Sequence, residues 1–183
     1  MRPRQFPPHR FSPIVLSRLG LGCLALLATL VGPPNASAVP MVNDPKGFQD
    51  IPWGASLKQN ASLEPVASTD RITEYRFKDG TATFGGVPVE SIKLSAIDDR
   101  FARVTVRYRG KARHRQLVIY LQTQYGPLDD TPGQFMTGAD HQFRWRGADT
   151  EVNVTFEGKP ERGFIFIESS ALAPVFTEAA GGM

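Results

Sequence analysis

From residue 71 onward the chain alternates apolar and polar residues, and the period of that pattern changes twice. Between Val87 and Gly110 two alternating runs flank Asp98-Asp99, the pattern of two antiparallel strands meeting at a tight turn. In the second run Ala102, Val104, Val106 and Tyr108 fall on one face, and Arg103, Thr105, Arg107 and Arg109 on the other. A strand with one apolar and one cationic face is half buried at most, so a sheet covered on one side only is expected. From Lys111 to Tyr125 the period lengthens. Leu117, Val118, Leu121 and Tyr125 recur at helical spacing, and Gly126-Pro127 ends the helix because Gly suits the position after it and Pro cannot continue it.

The period of two returns beyond the helix. Phe143 and Trp145 alternate with Gln142, Arg144 and Arg146, and Val152, Val154 and Phe156 alternate with Glu151, Asn153, Thr155 and Glu157. Phe164-Ile165-Phe166-Ile167 is apolar on both faces and is expected to be the most enclosed strand. Ahead of the hairpin, Arg71–Phe77 alternates, Asp79-Gly80 turns the chain, and Thr81–Phe84 reads as a short strand. Gly85-Gly86 and Pro88 then predict a bend or bulge. A short helix is expected over Ala55–Leu63, capped by Ser56, with Leu57 inward and Pro65 as its stop. Leu128–Asp140 reads as a surface loop, and 171–183 as a flexible tail. These elements predict an α+β fold, a two-layer sandwich in which two helices lie on one face of an antiparallel sheet of about six strands.

The first 38 residues obey other rules. Arg2, Arg4, Arg10 and Arg18 are their only charged residues, the apolar run Leu19–Val31 spans 13 positions, and Ala36-Ser37-Ala38 is a small-x-small site. This is the pattern of a secretory signal peptide (1–38) cut after Ala38. The run is shorter than the roughly 20 residues of a membrane-spanning helix. Cys23 lies inside it, with Leu24–Val31 continuing beyond, and reads as a filler of the signal rather than a lipidation site. Cleavage removes four of the 21 Lys and Arg and none of the 18 acids, so a formal +3 becomes −1. The basic character of the whole chain therefore belongs to the signal and gives no reason to expect nucleic acid as a partner. No cysteine is left for disulfide or thiolate chemistry. The mature chain reads as a linker (39–46) leading into one α+β domain (47–170).

Gly47-Phe48 with Ile51-Pro52-Trp53-Gly54, the Phe84-Gly85-Gly86-Val87-Pro88 segment, the Val87–Gly110 hairpin and the Tyr125-Gly126-Pro127 helix end resemble a group of small exported bacterial proteins of unknown function. The resemblance spans most of Gly47 to Ser170. It implies the fold and a periplasmic location, and it carries no functional residue.

Candidate chemistry is sparse. His114 stands between Arg113 and Arg115 at a helix start and reads as solvated. Asp140-His141, near Asp129-Asp130, offers oxygen and imidazole ligands and sustains one catalytic alternative, a metal-dependent hydrolase centred on that loop. No second histidine stands at ligand spacing, and no nucleophile elbow, His-Glu-x-x-His or phosphate-binding glycine loop is present, so neither an enzyme nor a cofactor is expected. The sharper signal is charge placement. Arg100, Arg103, Arg107, Arg109, Lys111, Arg113 and Arg115 succeed one another without an acid, and Lys93, Arg144 and Arg146 join the same sheet face if the strand phases hold. Arg103, Arg107, Arg109, Lys93, Arg113 and Arg144 are accordingly the candidate binding residues of an exported, non-catalytic binding or adaptor domain. Its expected partner is an envelope protein or another anionic envelope component. The competing reading is a solvated face balanced across strands by Glu74, Glu151 and Glu157.

Overall fold

The computed structural model describes residues 38–128, 135–137 and 139–181, with the side chains of 135–137 left aside. Residues 1–37 of the expected signal peptide, Cys23 among them, and the Asp129-Asp130 pair lie outside the described residues. In chain order the elements are β1 (Val39–Pro40), β2 (Gly47–Phe48), β3 (Ile51–Pro52), a single 3-10 turn (Leu57–Gln59), β4 (Leu63–Ser68), β5 (Ile72–Phe77), β6 (Thr83–Phe84), β7 (Val87–Pro88), β8 (Ser91–Ile97), β9 (Arg100–Arg109), α1 (Lys111–Tyr125), β10 (Phe135–Thr137), β11 (Asp140–Arg146), β12 (Thr150–Glu157), β13 (Arg162–Ser169) and α2 (Ala173–Gly181).

The architecture is α+β. One nine-stranded sheet runs in the order β1-β11-β12-β13-β9-β8-β5-β4, with β10 added beside β11. All its pairings are antiparallel except β1 on β11, so the sheet is mixed and wider than the pattern predicts. The central hairpin forms as predicted. Asp98 and Asp99 take φ of 48° and 63°, the two positive values that a two-residue turn of the primed type demands. β8 and β9 slip register between Ser95 and Ala96, and this bulge turns Phe101 to the face of Val104 and Ala102 to the opposite face, correcting the expected phase of Ala102.

Strand register lays the core out in rows. Trp145, Val152, Ile167, Val104, Leu94 and Tyr75 stand side by side across six strands, and Phe143, Val154, Ile165, Val106 and Ile92 form the next row. Both rows belong to one apolar cluster, which Leu117 and Leu121 of α1 join, each fully buried. Trp145 donates its indole N–H to the Gly126 carbonyl at 2.9 Å, so the helix end is tied to the floor it covers.

Several expectations are corrected. Of the helix expected over 55–63 only the 3-10 turn Leu57–Gln59 forms, with Leu57 buried as expected. Gly54 N–H donates to the Phe101 carbonyl and Phe101 N–H to the Ala55 carbonyl, which holds this segment extended against β9, and Ser56 bonds Asp99 instead of capping a helix. Pro65, expected to stop that helix, lies in edge strand β4 beside a bulge, where a missing N–H costs no ladder bond. Val39–Lys46 is no linker: Val39 is buried and paired with Trp145, and Met41 and Val42 donate to Arg146 and Tyr125 carbonyls. The tail contains α2, whose Phe176, with Leu172, packs on Ile72, Ile97 and Ala102. That cluster lies on the sheet face opposite α1, so the two helices do not share a face. The segment 164–167 is central in the sheet, but only Ile165 and Ile167 are buried, while Phe164 and Phe166 stand half exposed on the outer face.

Leu121→Ala is expected to lower unfolding free energy by about 2–5 kcal/mol, because it opens a cavity under a helix with no slack to close it. Ile119→Ala, at a position 57% exposed on the same helix, should change it by less than about 0.5 kcal/mol. Chemical denaturation of the two variants measures both.

Candidate functional site

The outer face carries the predicted cations, again in rows. Arg146, Glu151, Glu168, Arg103, Ser95 and Glu74 are cross-strand neighbours, then Arg144, Asn153, Phe166, Thr105 and Lys93, then Gln142, Thr155, Phe164, Arg107 and Ser91. Arg103, Arg107, Lys93 and Arg144 therefore do share one face. Most are engaged by the protein's own acids. Lys93 meets Glu74 at 2.6 Å, Arg103 meets Glu168 at 2.7 Å, and Arg109 meets Glu90 at 3.1 Å. Arg144 and Arg146 share Glu151, and Arg162 pairs with Glu157. Arg103 also lies over the Phe176 ring at 4.0 Å, so it fastens α2 to the sheet and is not displayed. Arg113 is not on this face: it sits in the first turn of α1 and donates to the Arg109 carbonyl.

Arg107 differs from the rest. It is exposed, has no acid partner among the described residues, and rests over the Phe164 ring at 5.7 Å. Arg162 lies over the same ring, and Phe164 and Phe166 stack within 4° of parallel. The open part of the outer face is thus a ladder of two phenylalanines and guanidinium groups. Where α2 meets the sheet, Phe176, Phe166, Arg103, Thr105 and Arg107 line a shallow groove of about 410 Å³.

The inner side holds an arrangement not expected from the sequence. His141, Phe156, Gly163 and Tyr108 form one row across β11, β12, β13 and β9. Gly163 leaves room for the Tyr108 ring to lean over it; a Cβ there would stand 2.0 Å from that ring. His114 comes down from α1 onto this row, stacked on Phe156 with centroids 4.3 Å apart. Tyr108 Oη and His114 Nδ1 are 2.8 Å apart, as are His114 Nε2 and His141 Nδ1. His114 is 5% exposed, against the solvated position expected. Its place was legible, since 114, 117, 118, 121 and 125 continue one helical stripe. Burial, with His141 adding to it, pushes the His114 imidazole down to about 4, and burial raises the Tyr108 phenol.

The Asp140-His141 pair is committed within the protein. Asp140 Oδ1 accepts the Gly158 N–H at 2.8 Å, and His141 Nδ1 is engaged by His114. Among the described residues no three His, Cys, Asp or Glu side chains come together to hold a metal ion. No family model, curated protein or solved structure matches the chain.

The depressed His114 sets a pH dependence. Above about pH 6.5 neither state binds its proton; between about 6.5 and 4 the unfolded chain binds it and the folded chain does not, so stability falls as pH falls. Wild type is therefore expected to lose on the order of 2–3 kcal/mol more than His114→Gln across that window. Denaturant melts of both at several pH values measure the difference, and parallel curves would contradict the assignment.

Proposed function

We propose that the chain is an exported, non-catalytic binding domain of the bacterial periplasm that engages an anionic envelope partner through the open part of its outer sheet face. The supporting observation is the Phe164–Phe166 ladder overlaid by Arg107 and Arg162. Aromatic rings and arginine together are the residue types that anchor interfaces, because the rings lose little conformational freedom and the guanidinium is weakly hydrated, with its donors held in a planar fork. Arg107 gives the surface its sign, since the neighbouring cations are matched by acids. Arg103 and Lys93 shape the face, and Arg107 is the residue expected to contact the partner's anionic group.

Export rests on the basic, apolar and small-x-small order of residues 1–38, and the resemblance to small exported bacterial proteins points the same way. Among the described residues no helix is long and apolar enough to cross a membrane. Val39, the first residue after the proposed cut, is buried and paired with Trp145 in the sheet.

Two measurements test the reading. N-terminal sequencing of the protein from a periplasmic fraction should begin at Val39; an intact Met1 in the cytoplasm would remove the exported half. Capture from native envelopes should yield a salt-sensitive partner with wild type and with Arg113→Glu, but not with Arg107→Glu combined with Phe164→Ala. Equal capture by all three proteins would exclude the outer face.

A further inference from the structure

A second surface, separate from the outer face and independent of the reading above, lies between α1 and strands β11 and β12. It is a groove of about 470 Å³, within the range of small-molecule sites. One wall is a single stripe of α1, on which Lys111 and Arg115 come first and Val118 and Ile119 come next. The floor is Phe143 and Phe156, with His141 beside them. The groove is thus cationic at one end and mainly apolar beyond it, with Gln122 following Val118 and Ile119 on the helix wall. Ile119 is 57% exposed there, one of few large apolar side chains so displayed.

The buried relay decides what His141 offers this groove. Tyr108 has one hydrogen-bond partner among the described residues, His114 Nδ1. A buried phenol without an acceptor is costly, so its O–H donates to Nδ1. That places the His114 proton on Nε2, from which it donates to His141 Nδ1. His141 in turn carries its own proton on Nε2, which has no acceptor among the described residues. A core hydrogen-bond chain therefore ends at His141, which lines the groove, in an N–H donor with no protein acceptor among the described residues. Lys111 is partly committed to Glu161 at 3.5 Å, whereas Arg115 has no acid partner among the described residues.

We propose that this groove binds an amphiphilic carboxylate, its head held by Arg115 and the Nε2–H of His141 and its apolar body lying along Val118, Ile119, Phe143 and Phe156. One free guanidinium and one neutral imidazole N–H match a singly charged head with two oxygens; a doubly charged phosphate would call for more cation than the groove supplies. Decanoate is the probe, with decanol and acetate as its two halves, titrated calorimetrically into the protein below micellar concentration. Decanoate should bind saturably at one per chain, and decanol and acetate at least tenfold more weakly. Arg115→Ala, an exposed position whose change leaves the fold intact, should weaken decanoate about tenfold or more, while Arg107→Glu should not change it. In nitrogen-15 spectra the His141 Nε2 signal should shift on binding. Decanol binding as tightly as decanoate would show an apolar slot without head recognition and overturn the proposal. So would an unmoved His141 signal, no effect of Arg115→Ala, or equal weakening by Arg107→Glu.

Discussion

The inner face of the sheet is the constraint on which the rest of the structure depends. Six side chains in register from Trp145 to Tyr75, with a second row behind them, make an apolar surface too broad to face water. The α1 helix is the long element available to cover it. Its connection passes from β9 to β11 across the positions of β13 and β12, which places it over the middle of that surface. The chain must then return through β11, β12 and β13 to fill the gap beside β9. The parallel β1 strand and the Trp145 indole bond to Gly126 are local consequences: the strand extends the sheet beyond β11, and the bond ties the helix end to the surface it covers.

How far the sequence exposes this depends on how local each cause is. The bounds of α1 were legible from Leu117, Leu121 and Gly126-Pro127, all decided within a few turns of chain. The turn at Asp98-Asp99 was legible for the same reason. The edge strand β4 was hidden because only Leu63 in it is buried, so it shows no alternation, and its Pro65 argued for a stop. The α2 helix was hidden by brevity: Leu172, Phe176 and Ala179 have helical spacing, but two turns between small residues look like a fraying end. The bulge that moves Ala102 across the sheet lies in how β9 registers against β8 and leaves no trace in the alternation of the β9 sequence.

Charge was legible as placement and illegible as availability. That Arg103, Arg107, Lys93 and Arg144 share a face comes from the period of two and holds. Whether a guanidinium is free depends on which acids the register brings beside it. Glu168 lies 65 residues beyond Arg103 in the chain and directly opposite it in the sheet. The unbroken cationic run from Arg100 to Arg115 is therefore spent largely inside the fold. Arg103 holds down α2, Arg109 meets Glu90, and Arg113 binds backbone. On the outer face Arg107, whose neighbours across the strands are Phe164 and Ser91, keeps no acid partner among the described residues.

The histidines show the opposite relation. Each looked ordinary in its own surroundings, one among arginines and one after an aspartate in a loop. Three separate facts join them: a helical stripe that turns His114 inward, a strand register that puts His141 and Tyr108 in one row, and a glycine between them that lets the tyrosine lean across. Gly163 is the quiet member of this set. A side chain there would keep the phenol upright, and His114 would then be buried against Phe156 with one nitrogen unanswered, which a core does not tolerate. The groove chemistry at His141 is in that sense a by-product of satisfying a buried imidazole. The proton that the core cannot accept is passed outward until it reaches the one ring nitrogen that faces no protein acceptor among the described residues.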